Sequence, residues 1–201
     1  MAGRRTARTV RAARPRLRLE VANRTGRRLP ARRAWLRLAR LALAGRSILM
    51  RPTLLSVAVV SGSEMRRLNR RYRRDRALTD VLAFPAAGRD PETDRQDLGE
   101  VVICLDAAER EVRRSLGRGG GEGRGGRFGA LGRELALYVL HGILHLVGYN
   151  DKRPEERRRM ECEQEKLLAR WERATPGMGT AARGRTLSGR GHGGAPPCQG
   201  A

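Results

Sequence analysis

The chain has 201 residues and a formal net charge of +22, with 43 Lys and Arg against 21 Asp and Glu. A surplus of this size attracts polyanions by counterion release, although Lys152 and Lys166 are the only lysines and a coding bias toward arginine therefore contributes to it. No apolar run reaches the roughly 18 residues of a membrane span, and no apolar signal segment stands near the start, so we expect one cytoplasmic domain without a membrane partner.

Two strand-then-helix units are predicted first. Residues 16–24 alternate apolar and polar side chains, as in a half-buried strand, and residues 29–45 follow with helical spacing. Residues 54–61 form an apolar run of strand length. The helix predicted over 63–74 begins with a serine N-cap, Ser63, and has an acid in its first turn.

Two further strands and three helices follow. The strands are predicted over 79–85 and 98–106, with a polar loop between them. The helices are predicted over 107–116, 128–148 and 153–171. The second of these helices is apolar almost all round, which is typical of a buried helix.

Three segments have compositions too biased to form a packed core. Residues 1–14 are predicted to be a disordered basic extension, and residues 173–201 a disordered tail. The glycine-rich residues 117–127 are predicted to be a flexible insertion. The ordered domain is therefore expected to span residues 15–172.

A pair of histidines lies on the predicted buried helix. His141 and His145 are spaced i, i+4, which places two side chains on one face of a helix, within reach of one metal ion. Gly148 then allows a sharp turn, and Asp151 follows as a third candidate ligand. Two histidines on an apolar helix can also be satisfied core residues, but the pair with its glycine and carboxylate favours a metal site.

Two histidines and one aspartate would leave a fourth zinc position for water or substrate, which is typical of a hydrolytic site. The spacing is similar to the metzincin protease pattern H-E-x-x-H-x-x-G-x-x-H, but Gly142 stands where those proteases have the glutamate that acts as general base. Peptide hydrolysis is therefore less favoured than cleavage of a phosphodiester by a cationic protein.

Three blocks of the sequence resemble the YbeY endoribonuclease family of bacterial rRNA maturation factors. HGILHLVGYND (141–151) is similar to the family signature H-G-x-L-H-L-x-G-Y-D-H. LNRRYRRDRALTDVLAFP (68–85) is similar to its LN-x-x-YR and TDVLSFP segments, and LGEVVIC (98–104) is similar to its LGD-I-x-IC strand. Three blocks in the same order are more specific than one motif.

The resemblance implies an α/β (α+β) fold with a small mixed four-stranded sheet, surrounding helices and the metal site on a buried helix. It also implies a zinc-dependent, single-strand-specific endoribonuclease, one Zn²⁺ per chain, that acts on the 3′ end of 16S rRNA and in ribosome quality control. His141 and His145 would be metal ligands, with His141 at the catalytic centre. Arg73, from the YR pair, would be the functionally important arginine, able to bind a phosphate with two parallel hydrogen bonds.

The chain departs from the family at the third ligand. Asn150 and Asp151 stand where the signature ends in D-H, so Asp151 occupies the position of the third histidine. A carboxylate competes better for a dication than an amide does, but Asn150 remains an alternative ligand. An Asp ligand leaves less net charge on the site, so we expect a higher pH optimum than that of a three-histidine site.

Asp80 has two interpretations: it either orients a ligand histidine through its second ring nitrogen or serves as a turn residue before a strand. For the whole protein, the leading hypothesis is a cytoplasmic zinc endoribonuclease that binds single-stranded RNA and the ribosome. Two alternatives remain open, namely a non-catalytic basic ribosome-binding protein with a structural metal site, and a metallopeptidase.

Overall fold

The computed structural model describes residues 17–89, 91–92, 94–116 and 126–175. Outside them lie the predicted basic extension and most of the predicted glycine-rich insertion and C-terminal tail, which stay predictions. Residues 126–127 and 173–174, predicted to belong to the insertion and the tail, are instead helical. The strands are β1 (Leu17–Asn23), β2 (Thr53–Val60), β3 (Val81–Arg89) and β4 (Gln96–Cys104). The helices are α1 (Arg32–Leu43), α2 (Gly62–Arg73), α3 (Leu105–Leu116), α4 (Gly126–Leu146) and α5 (Pro154–Ala174), with a short 3₁₀ helix at Ser47–Met50.

Within the described residues, the four strands form one mixed sheet in the order β1-β2-β4-β3. β1 and β2 are parallel, as are β2 and β4, and each of these connections contains a helix, as parallel neighbours require. β3 pairs with β4 antiparallel and lies at the edge. The predicted small mixed four-stranded sheet is confirmed.

The sheet separates two apolar layers. Val101 and Ile103 of β4 belong to the larger layer, which contains the buried faces of α1, α4 and α5. Val102 and Cys104 belong to the smaller layer, together with Met65 of α2. Because successive side chains of a strand point to opposite faces, the continuous apolar run of β4 reflects burial on both sides.

The β3–β4 hairpin is longer than predicted. Gly88 and Arg89 pair with Asp97 and Gln96, so residues predicted as loop continue both strands. The register shifts between Pro85 and Gly88, where a proline has no N–H to donate. β3 is an edge strand, and an irregularity of this kind at an edge lets pairing resume beyond the proline.

The N-cap of α2 is Ser61, two residues before the predicted position. Ser61 Oγ accepts a hydrogen bond of 3.3 Å from the backbone N–H of Glu64. Ser63 instead lies 2.9 Å from Ser61 Oγ through its hydroxyl. The helix therefore starts directly where the buried strand β2 ends.

α4 is the central helix of the larger layer and contacts β3, β4, α1, α3 and α5. At Gly142 the helix approaches β4 so closely that an added Cβ would lie 2.4 Å from Val101 Cγ1. No helix in the described part of the chain has both the length and the apolar character needed to cross a membrane.

Candidate metal centre

Two histidine side chains on α4 converge on one point. His141 and His145 lie one turn apart, and their Nε2 atoms are 3.0 Å from each other. Their ring centroids are 4.6 Å apart, with an angle of 82° between the ring planes. The i, i+4 spacing thus produces the pair that the sequence predicts.

The other ring nitrogens fix the orientation of this pair. His141 Nδ1 lies 3.1 Å from Gln164 Oε1, and His145 Nδ1 lies 3.1 Å from the carbonyl oxygen of Tyr149. Because carbonyl oxygens only accept, each Nδ1 carries the proton and each Nε2 presents its lone pair. Burial, followed by the proximity of His145, lowers the pKa of His141 and favours this neutral form.

The donor set fits a zinc ion. Two facing lone pairs at 3.0 Å repel unless a cation or a proton lies between them, and two ligands of a tetrahedral zinc ion lie about 3.3 Å apart. Asp151 Oδ2 is 3.9 Å from His145 Nε2, and the donor atoms of His141, His145 and Asp151 all lie within 4.8 Å of one another. The three side chains therefore have the donor types and the proximity that one zinc ion needs.

A helix-terminating turn brings Asp151 to the histidines. Gly148 adopts a φ of 95°, in the left-handed region that favours glycine. Its N–H donates to the His145 carbonyl, and the Tyr149 N–H donates to the Leu144 carbonyl, both at 3.0 Å. This is the Schellman pattern that ends many helices, and it reverses the chain directly after the second histidine.

The turn separates the roles of Asn150 and Asp151. Asn150 Oδ1 accepts hydrogen bonds from the backbone N–H groups of Asp151 and Lys152, at 2.9 and 3.2 Å. The carboxylate of Asp151 faces the histidines instead, and Arg157 Nε donates to its backbone carbonyl at 3.0 Å. Of the two candidate third ligands, the geometry favours Asp151.

A cavity of about 190 Å³ lies in front of the site, between α4, α5 and the start of β3. Asp80 lines it, but Asp80 Oδ1 accepts from the Val81 N–H at 2.9 Å. Both histidine Nδ1 atoms already have other acceptors, so of the two interpretations of Asp80 the hydrogen bonds favour the turn residue before a strand. Burial raises the pKa of Glu161, which lines the same cavity.

Arg73 lies at the last position of α2 and lines a second, larger cleft of about 400 Å³. The described residues that line the metal cavity do not include Arg73. The two spaces share Asp80 and are therefore adjacent. The structure therefore places the predicted arginine in a cleft next to the candidate metal ligands and not among them.

Sequence reasoning missed the residues that α5 contributes. Gln164, Arg157 and Glu161 reach the site from a helix that the sequence marks only by its charge. Gln164 is almost fully buried, although most of its helix is charged. Its position on the same face as the buried apolar residues Met160, Leu167, Leu168 and Trp171 is the signal that could have identified it. Its contact with His141 spans 23 positions of the chain and depends on how α5 packs against α4.

Comparisons with known proteins identify a family that matches most of this chain. Residues 23–172 match the family described as Endoribonuclease YbeY. The Endoribonuclease YbeY of Anaeromyxobacter dehalogenans (strain 2CP-C) is 41% identical over 149 residues, which cover 74% of this chain and 65% of that protein. That of Myxococcus xanthus (strain DK1622) is 39% identical over 115 residues, covering 57% of this chain and 35% of that protein. The chain therefore spans between about a third and two thirds of the length of these relatives.

A solved structure shows the same fold. The solution structure of TM1509 from Thermotoga maritima matches with a TM-score of 0.51 and covers 82% of this chain and 96% of that chain. Its sequence identity is 23%, so the likeness concerns the fold alone.

Proposed function

The chain belongs to the endoribonuclease YbeY family, and from this premise we propose that it is a zinc-dependent endoribonuclease that cleaves single-stranded RNA. The substrate proposed is rRNA, with processing of the 16S rRNA 3′ end and ribosome quality control as the setting, in the cytoplasm. The observation that carries the proposal is the pair of converging Nε2 atoms of His141 and His145, with Asp151 beside them.

Different residues have different roles in the proposed reaction. His141, His145 and Asp151 would hold Zn²⁺, which supplies Lewis-acid activation of water or of a phosphate oxygen. Gln164 and the Tyr149 carbonyl keep both imidazoles in the tautomer that ligates. Arg73 binds a phosphate of the RNA in the adjoining cleft and stabilises the negative charge that develops during cleavage.

RNA is favoured over peptide by two features. A protease of the related spacing needs a glutamate directly after the first histidine, and Gly142 has no room for any side chain against Val101. The arginines of α2 are exposed at positions 66, 67, 70, 71 and 73, so this helix presents a cationic surface beside the cleft. Such a surface attracts the phosphates of a nucleic acid.

The test compares cleavage and metal content in the same preparations. The zinc-loaded protein is incubated with a single-stranded RNA oligonucleotide, its DNA counterpart and an unstructured peptide, and bound zinc is measured by elemental analysis. We expect the RNA to be cleaved and the DNA and the peptide to remain intact. His145→Ala should lose both zinc and at least about 100-fold in activity, whereas Arg73→Ala should keep zinc and lose about 100-fold in activity.

Arg40→Ala is the matched control for Arg73→Ala, since Arg40 is an exposed arginine of α1 that lines neither cavity and lies outside the cationic surface of α2. It should cleave RNA within about twofold of the wild type. Zinc bound at one ion per chain without RNA cleavage would overturn the proposal in favour of a structural metal site. Cleavage of the peptide would overturn it in favour of a metallopeptidase.

A further inference from the structure

The larger cleft next to the metal site has the dimensions of a ligand site. Its volume of about 400 Å³ lies within the range of small-molecule pockets and suits one nucleotide. Its walls come from α2, residues 74–80 and α3. Tyr138 also lines it, three residues before His141 on α4, so the cleft and the metal site lie along the same face of one helix.

Asn69 lines this cleft with an unsatisfied acceptor. Its side chain is 2% exposed, and its Nδ2 donates to the Ala77 carbonyl at 2.9 Å. Its Oδ1 has no hydrogen-bond partner among the described residues. A buried carbonyl oxygen without a donor costs free energy, which a ligand with an N–H or O–H group would recover.

The acidic groups of the cleft already have partners, in contrast to Asn69. Asp75 Oδ1 accepts from the Ala77 N–H at 2.9 Å, and Asp80 Oδ1 accepts from the Val81 N–H at 2.9 Å. Glu111 forms an ion pair of 2.9 Å with Arg114. Among the described residues that line this cleft, Asn69 Oδ1 is therefore the buried acceptor without a donor.

Two guanidinium groups of the cleft make no ion pair or hydrogen bond to another described residue. They are Arg73 at the end of α2 and Arg110, which is exposed on α3. Arg113, one turn further along α3, instead forms an ion pair of 3.6 Å with Glu109. Charges that the protein itself leaves unpaired, on two walls of one cleft, are suited to the phosphates on either side of a nucleotide.

We propose that this cleft binds one nucleotide of a single-stranded RNA, with Arg110 contacting a phosphate and Asn69 Oδ1 accepting a hydrogen bond from a donor of that nucleotide. The inference deepens the proposed function, on which it rests, by assigning two residues outside the metal site to substrate binding. The donor is either the ribose 2′-hydroxyl or an exocyclic amine of the base, since both present the same chemistry to an amide oxygen.

The first experiment measures RNA binding without metal, so that it does not depend on cleavage. A fluorescein-labelled oligoadenylate of about ten nucleotides is titrated in EDTA at several salt concentrations, with fluorescence anisotropy as readout. Arg110→Ala should weaken binding about fivefold to tenfold. It should also reduce the slope of log K against log salt by about 0.7, the value for one lost phosphate contact on a single strand.

Arg113→Ala is the matched control, because it removes the same charge from the same helix outside the cleft. It should change the affinity by less than about twofold. Equal effects of Arg110→Ala and Arg113→Ala would overturn the assignment of Arg110, even if the protein cleaves RNA. An effect specific to Arg110 in a protein that cleaves no RNA would retain the subsite and overturn the proposed function alone.

The second experiment tests Asn69 with three probes: the oligoadenylate, its 2′-deoxy counterpart and an oligomer of purine riboside, which lacks the exocyclic amine. The wild type should bind one of the two modified probes about fivefold more weakly than oligoadenylate, and the probe that loses affinity identifies the donor. In Asn69→Leu this difference should vanish. A loss of equal size for all three probes in Asn69→Leu would show a purely structural role and overturn the assignment.

Discussion

Gln164 Oε1 of α5 lies 3.1 Å from His141 Nδ1 of α4. The contact joins two helices across the candidate metal centre and holds the Nε2 atom of His141 toward His145. Gln164 is only 3% exposed, so its side-chain amide is buried and this hydrogen bond replaces one to water. A buried polar group beside a ligand histidine is a common way to fix the orientation and basicity of that ligand.

Replacing Gln164 should weaken metal binding without removing a ligand. In Gln164→Leu the His141 imidazole loses its acceptor, and the affinity for Zn²⁺ should fall about 10-fold to 100-fold. Competition with a chromophoric chelator measures this affinity. Gln164→Glu restores an acceptor oxygen at the same position and should bind zinc at least as tightly as the wild type, so a loss of similar size in both variants would contradict the assigned role.

The two residues at the end of the turn should respond differently to truncation. Asp151→Ala removes the candidate third ligand, and zinc affinity should fall by at least about 100-fold. Asn150→Ala removes only the acceptor for two backbone N–H groups, and we expect a loss of stability of about 1 kcal/mol with zinc stoichiometry unchanged. Elemental analysis and urea unfolding separate the two effects. Loss of zinc in Asn150→Ala but not in Asp151→Ala would exchange the two assignments.

The sequence predicts those parts of the site whose geometry is set by residues close together in the chain. The spacing of His141 and His145 follows from the helical repeat, and the turn at Gly148 follows from the left-handed conformation that glycine permits. These features depend on fewer than a dozen consecutive residues. The structure therefore contains both features: the Nε2 atoms of the two histidines lie 3.0 Å apart, and Gly148 has a φ of 95°.

The parts that the sequence could not predict depend on packing between distant segments. Gln164 reaches His141 only because α5 lies against α4, and the hydrogen bond from Asn69 Nδ2 to the Ala77 carbonyl depends on the path of the loop after α2. The extension of β3 past Pro85 depends on free hydrogen-bonding groups of β4, which no local pattern reveals. The sequence alone does not distinguish Ser61 from Ser63 as the cap of α2, because only the end of β2 decides between the two serines.

Gly142 should not tolerate a side chain. An alanine Cβ would lie 2.4 Å from Val101 Cγ1 and 2.9 Å from its Cγ2, and Val101 is fully buried in β4. Alanine is the better helix former by about 1 kcal/mol, but overpacking of a rigid core costs about 1–3 kcal/mol. The difference is a net loss of up to about 2 kcal/mol in the free energy of unfolding, measured by urea denaturation.

The double variant Gly142→Ala with Val101→Ala tests whether this contact is the cause. Removing the two methyl groups of Val101 opens the space that the new Cβ needs, so the two substitutions should be less destabilising together than the sum of their separate effects. A coupling energy near zero would show that the helix shifts away from the sheet as a whole and that the Val101 contact is not limiting.

The pH dependence of stability should contain a contribution from Glu134, which lies on α4 one turn before Tyr138. Burial raises the pKa of Glu134 from 4.5 to about 7, assisted by the charges of Glu111 and Asp80, while the Tyr138 hydrogen bond and Arg133 act in the opposite direction. The folded protein therefore binds a proton that the unfolded chain has released between pH 4.5 and 7. Over this range the stability falls as the pH rises, and below pH 4.5 the cost is absent.

Glu134→Gln removes this titration and should be more stable than the wild type above pH 7, by on the order of 2 kcal/mol, with little difference near pH 4.5. Urea unfolding of both proteins at pH 5, 6, 7 and 8 measures the change in the difference. Glu165→Gln is the matched control, because Glu165 is an exposed carboxylate of α5 and its replacement should give curves that run parallel to the wild type. If Glu134→Gln also runs parallel to the wild type across this range, the carboxylate is ionised in the fold at no cost and its burial is compensated by Arg133 and Tyr138.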